Sequence, residues 1–125
     1  MNIIFVYGTL KRGLANSRFL EGQEFLGVAE TSPDYRLFDG HAFPAMVEYP
    51  STGVKVKGEI WRVDDNCKKD IDRLEGIPYM YKRIPITLVS HPNLDVETYV
   101  MHEVPNGWTD CGTSWTPRKR RKWHL

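Results

Sequence analysis

The sequence predicts one α+β domain, with a mixed or antiparallel sheet curled into a small barrel and short helices flanking it. Three observations carry this. Six or seven short apolar runs are bounded by Gly, Pro, Ser, Asn and Asp, the punctuation of strands and turns. Two stretches instead have the spacing and end signals of short helices. The 125 residues, 41% hydrophobic and 26% charged, suffice for one core but not two.

The first strand is Ile3 to Tyr7, a run of apolar residues that breaks at Gly8. A buried strand that ends in a Gly-led turn leaves backbone N–H groups without ladder partners. Successive free N–H groups form a concave anion site. Gly8 and Gly13 have the gap of a phosphate-binding P-loop, but Leu14 and Ala15 stand where that loop needs Lys and Ser or Thr, which excludes it.

Residues 15–21 fit a short helix that Asn16 or Ser17 can cap and Gly22 can close. Residues 25–31 and 34–38 read as strands around a Ser32-Pro33 turn. A further strand starts at Phe43-Pro44, where no ladder donor is needed. In residues 54–63, Val54, Val56, Gly58 and Ile60 alternate with polar residues before the phase moves to Trp61 and Val63, as a bulge would require. Gly58 marks a bend or a close backbone approach.

A second helix runs from an Asp64 or Asp65 cap to Gly76, with Pro78 preventing continuation. Cys67, Ile71 and Leu74 share its apolar face, and Asp64–Lys68 and Asp65–Lys69 are spaced as i,i+4 ion pairs. Glu75 therefore falls in the last turn beside a buried Leu74. The negative end of the helix dipole and partial burial both disfavour its carboxylate and raise its pKa. Residues 81–89 form a strand that Pro85 places at an edge, a turn covers 90–95, and Val96 to His102 returns as its partner. Beyond Glu103 the pattern is of loops anchored by Trp108 and Trp115.

No apolar run approaches the roughly 18 residues of a membrane helix, and no membrane partner is expected. Met1-Asn2 leads into the first strand without a basic segment, so no secretory signal is expected. Cys67 and Cys111 lack metal-ligand companions and suggest a reducing, cytoplasmic setting. The net charge of +1 conceals a run of five basic residues at 118–122. Without it, 12 basic residues face 16 acidic ones. The run reads as a solvated tail. Nucleic acid is not the expected partner, although this run leaves it open. The division is thus a domain over 1–117 and a basic tail over 118–125, with no oligomeric state implied.

Four scattered histidines and the absence of a Gly-x-Ser-x-Gly elbow give little support to a protein nucleophile. The residues suit a reaction in which the substrate attacks itself, needing only an anion cradle and one group to move a proton.

Tyr7-Gly8-Thr9-Leu10-Lys11-Arg12-Gly13 with Asn16 resembles the entry loop of the gamma-glutamylcyclotransferase-like superfamily, and its gamma-glutamylamine cyclotransferase and AIG2-like branch in particular. A second block agrees: Val56-x-Gly58-Glu59-Ile60-Trp61-x-Val63-Asp64, Ile71-Asp72-x-Leu74-Glu75 and Pro78-x-x-Tyr81-x-Arg83. The resemblance implies a barrel with flanking helices and a cofactor-free, metal-free conversion of a gamma-glutamyl amide to 5-oxoproline and an amine. It places Glu75 as the catalytic proton shuttle. Substrate binding falls to the backbone N–H groups of Gly8, Thr9 and Leu10, with Tyr7 as a wall and Tyr81 as a hydroxyl. Tyr7 reads equally as core packing and Tyr81 as a strand-end aromatic. The alternative function is a non-catalytic module that senses a small acidic metabolite through the same pocket.

Overall fold

The computed structural model describes residues 2–117. The basic run 118–122 and the rest of the tail lie outside the described residues. Eight strands follow in order: β1 (Asn2–Val6), β2 (Glu24–Glu30), β3 (Tyr35–Asp39), β4 (Pro44–Glu48), β5 (Lys57–Val63), β6 (Tyr81–Leu88), β7 (His91–Met101) and β8 (Thr109–Gly112). The only α-helix among the described residues, α1 (Asp65–Leu74), lies between β5 and β6.

The strands form a five-stranded sheet, β2-β5-β1-β7-β6, and a three-stranded one, β4-β3-β8. In the larger sheet β1 pairs antiparallel with β5 and parallel with β7. The sheet is mixed, as expected, but it is not closed into a barrel. Its edges touch at a single bridge, Thr31 to Leu88, made by the Val89 N–H donating to the Glu30 carbonyl and the Ser32 N–H to the Thr87 carbonyl, both at 3.0 Å. One bridge is contact between two edges, not a continuous ladder. Pro85, with no N–H to donate, sits on the edge strand β6.

Alternate residues of the inner strands enter two apolar clusters, one on each face. Ile4 and Val6 of β1 join Trp61, Val63 and Ile71 in one; Phe5 and Tyr7 join Ile60, Val56 and Val100 in the other. This double burial explains the phase change at Trp61. The β1–β5 register runs unbroken, and the bulge lies instead on β2, between Phe25 and Gly27. A side chain at Gly58 would place its Cβ 2.3 Å from the Val6 carbonyl oxygen, so the glycine answers a close backbone approach.

Other expectations need correction. The helix at 15–21 is a single 3-10 turn, Ser17–Leu20, because the Asn16 amide turns back to the Thr9 hydroxyl and makes no cap bond. Asp64 caps α1 by accepting from the Cys67 N–H at 2.7 Å, and Lys68 pairs with Glu97 at 2.7 Å, so Asp64–Lys68 does not form. Asp65 accepts from the Asn2 amide rather than from Lys69. The turn at 90–95 shrinks to Val89-Ser90, because Glu30 holds both residues by hydrogen bonds and β7 starts at His91. Residues 109–112 pair with β3 as β8, and Trp115 is buried with its indole N–H donating to Asp39 at 3.0 Å. Leu74 is 37% exposed, not buried.

Candidate active site

The carboxyl end of β1 and the carboxyl end of α1 face one another across a cavity of about 110 Å³. Gly8, Thr9, Leu10 and Asn16 line one side, and Leu74, Glu75, Met80 and Tyr81 the other. Tyr7, Tyr99 and Pro44 close the space between them.

The loop side is assembled by ties to distant strands. Glu59, 7% exposed, accepts from the Arg12 backbone N–H at 3.0 Å, the Arg12 Nε at 3.1 Å and the Trp61 indole at 3.2 Å. Asn16 donates its backbone N–H to the Thr9 carbonyl and its Nδ2 to the Thr9 hydroxyl, both at 2.9 Å. The Lys11 ammonium donates to the Trp115 carbonyl at 2.6 Å. Pro44 packs so closely on Gly8 that a Cβ there would lie 2.7 Å from its Cγ. None of the described residues accepts from the N–H of Gly8, Thr9 or Leu10. Those donors are free for an anion or a polarised carbonyl oxygen.

Glu75 sits as the cap of α1, and the turn beyond it uses Gly76 at φ +65, which suits a residue without a Cβ. Burial alone pushes its carboxyl up to about 7, and no described residue gives the side chain a hydrogen bond or ion pair. The desolvated charged form is disfavoured and nothing nearby compensates. A carboxyl that titrates near neutrality can take up and return a proton at little cost.

The sequence reading named Glu75, Tyr7, Gly8, Thr9, Leu10 and Tyr81, and all six line the one cavity. Tyr7 fits both of its expected readings, wall and core, and the hydroxyl expected of Tyr81 is committed on its donor side. Tyr7 is buried, donates to the Tyr99 carbonyl at 2.6 Å and accepts from the Met46 N–H at 3.1 Å. Its hydroxyl is therefore structural. Tyr81 donates to the Pro44 carbonyl at 2.7 Å, so toward the cavity it can only accept. Phe43, Pro44 and Met80 were not singled out in the sequence. Only Pro44 left a signal, as the start of a strand that runs past the loop.

No group of three or more potential metal-ligating side chains occurs among the described residues, and no described helix is long and apolar enough to cross a membrane.

The model of the gamma-glutamyl cyclotransferase, AIG2-like family matches residues 4–123, a span that takes in both walls of this cavity. The chain belongs to that family and is an enzyme of the cyclotransferase kind. It is 39% identical over 82 residues to a Vibrio cholerae protein provisionally named a gamma-glutamylcyclotransferase, covering 66% of this chain and 69% of that one. It is 38% identical over 92 residues to gamma-glutamylaminecyclotransferase A of Danio rerio, covering 68% of this chain but only 57% of the relative. A mouse AIG2-like crystal structure superposes with a TM-score of 0.74 at 27% identity, covering 97% of this chain and 99% of that chain.

Proposed function

We propose that the chain cyclises a gamma-glutamyl amide, of the gamma-glutamylamine type, to 5-oxoproline and a free amine, with Glu75 as the proton shuttle. The observation that carries this is an unpaired carboxyl, raised to about 7, sharing a 110 Å³ cavity with three uncommitted backbone donors.

The glutamyl carboxylate and the amide oxygen lie toward residues 8–10, where N–H groups meet negative charge without reorganising. Glu75 takes a proton from the substrate's α-ammonium, and the freed amine nitrogen attacks the γ-carbonyl carbon. A C–N bond forms, and the carbonyl oxygen becomes an oxyanion held by the loop. As the oxyanion collapses, the original amide C–N bond breaks. Glu75 returns its proton to the departing nitrogen. The remaining extra proton of the attacking nitrogen passes by the same carboxylate to the released amine, which leaves as an ammonium ion, and Glu75 ends the cycle ionised as it began. Holding the substrate's own nucleophile beside its carbonyl supplies the proximity that a protein nucleophile would otherwise provide.

A pocket that merely sensed an acidic metabolite would gain nothing from an unpaired carboxylate facing an anion cradle. The alternative of a non-catalytic module is therefore not favoured. Incubation with gamma-glutamyl-ε-lysine and related amides should release 5-oxoproline, detected by mass. Glu75→Gln should lower turnover by about 10²–10⁴-fold, the usual contribution of a positioned acid–base group. A Glu75→Gln protein as active as the parent would remove the carboxyl from the mechanism.

A further inference from the structure

Three tyrosines, Tyr7, Tyr81 and Tyr99, line the cavity with Glu75, and each interacts electrostatically with its carboxylate. A half-buried carboxylate beside three phenols would ordinarily collect a hydrogen bond from at least one. Here every phenolic proton is directed elsewhere. Tyr7 donates to the Tyr99 carbonyl at 2.6 Å, Tyr81 to the Pro44 carbonyl at 2.7 Å, and Tyr99 to Asp72 Oδ1 at 2.6 Å. Two of these acceptors are backbone carbonyls fixed by the fold. The third is a side chain, placed one helical turn before Glu75 on α1.

Asp72 is itself held in place. Its other oxygen accepts from Arg83 at 2.5 Å, and Arg83 also meets Glu97, which pairs with Lys68. This network fixes the carboxylate that receives the Tyr99 proton. We propose that Asp72 is a positioning residue for Glu75: by taking the Tyr99 hydroxyl proton it withholds a donor from the shuttle. It also leaves Tyr99, like Tyr81, offering lone pairs to an ammonium group in the cavity. The ammonium clause rests on the function proposed above; the clause about Glu75 does not.

The groups around Glu75 narrow the test. Tyr7 faces it from the loop after β1, Tyr81 from β6 and Tyr99 from β7. On α1 itself Arg73 is turned to Asp70. On β6 Lys82 is turned to Glu48 and Arg83 to Asp72. Residues 8–10, Phe43 and Pro44 complete the wall without a titratable side chain. The Tyr99 hydroxyl is thus the donor whose direction a single side chain decides.

The test follows the Glu75 carboxyl by carbon-13 NMR titration of the full chain, alongside the pH profile of 5-oxoproline release. Tyr99→Phe should leave the Glu75 midpoint where it stands in the parent, since no donor is lost. Asp72→Ala should lower the midpoint by about one pH unit or more as the freed hydroxyl turns to the carboxylate. The double variant Asp72→Ala with Tyr99→Phe should bring it back. A rise in Tyr99→Phe would overturn the proposal, because it would show Tyr99 already donating to Glu75. So would a double variant that stays as low as Asp72→Ala, which would assign the shift to lost charge or admitted water. Where Asp72→Ala does not fold, Tyr99→Phe, a change of one hydroxyl, still overturns the proposal if the midpoint rises. The titration reads Glu75 whether or not any amide is turned over. A parent without turnover would therefore count against the proposed function alone.

Discussion

The two walls of the cavity are built in opposite ways. The loop wall is tied down at nearly every residue: Tyr7 to β4 and β7, Arg12 to Glu59, Asn16 to Thr9, and Lys11 to Trp115. The wall that follows α1 is open. Leu74 is 37% exposed and Met80 48%, apolar side chains that line the cavity and are left partly in water. A rigid wall can hold donors to a fixed geometry, which suits the half of a substrate that never changes. A loose apolar rim suits the half that varies and then leaves.

The tied wall should break at Gly8 with the largest effect. An added methyl would sit 2.7 and 2.8 Å from Pro44 Cγ and Cδ, closer than packed carbons approach. Pro44 cannot retreat freely, since it begins β4 and its carbonyl receives the Tyr81 hydroxyl. Gly8→Ala should therefore displace the loop, at a cost of about 1–3 kcal/mol in stability. Misplaced donors should lower kcat/KM on the order of 10²-fold. Thermal unfolding and steady-state rates of 5-oxoproline release measure the two losses. A variant with parental rates would show that the donors of residues 8–10 are not held for a substrate.

How far this contrast could be read from the sequence follows from what each wall is made of. Of the rigid wall the chain shows the apolar strand and its break at Gly8; the crowding by Pro44 and the ties to Glu59 and Trp115 join residues far apart in sequence and leave no local pattern. The position of Glu75 at the helix end was legible because Asp64, Gly76 and Pro78 bracket the helix, whereas its assignment to the site came from the family resemblance. Its environment differs from the expected one in one respect. Leu74 was expected to share the buried face with Cys67 and Ile71, yet it turns toward the rim while the cavity itself desolvates Glu75. The strand β8 was invisible because it is short and polar, and only its pairing with β3 makes it a strand. Barrel closure was likewise beyond local pattern, since it depends on whether edges far apart in sequence share a ladder or a single bridge.

A second prediction sets catalysis against stability on the open wall. A carboxyl whose folded pKa is raised to about 7 binds its proton more tightly in the native state than in the unfolded chain, where the value is near 4.5. The unfolded state therefore sheds that proton first as pH rises. Native stability falls between about pH 4.5 and 7 and is level above. Glu75→Gln removes this penalty. It should be more stable than the parent at pH 8, on the order of 2 kcal/mol, and indistinguishable from it near pH 4. Urea unfolding at the two pH values gives the comparison. An equal difference at both would mean that the gain comes from packing rather than from ionisation.

The smallest effect belongs to the rim. Leu74 and Met80 line the cavity beside Glu75, so on the proposed reaction they meet the amine as it departs. Because both are partly exposed, truncation leaves little unsatisfied and should barely change stability. Their contribution should appear only in the choice among amines. Met80→Ala and Leu74→Ala should each narrow the preference for a gamma-glutamyl butylamide over a methylamide by no more than about tenfold, since a few methylenes against a half-open apolar surface discriminate weakly. The rates for the methylamide should hold, because the tied wall still grips the common glutamyl half. If both amides slowed equally, the rim would be positioning Glu75 rather than receiving the amine, and the division of labour between the walls would fail.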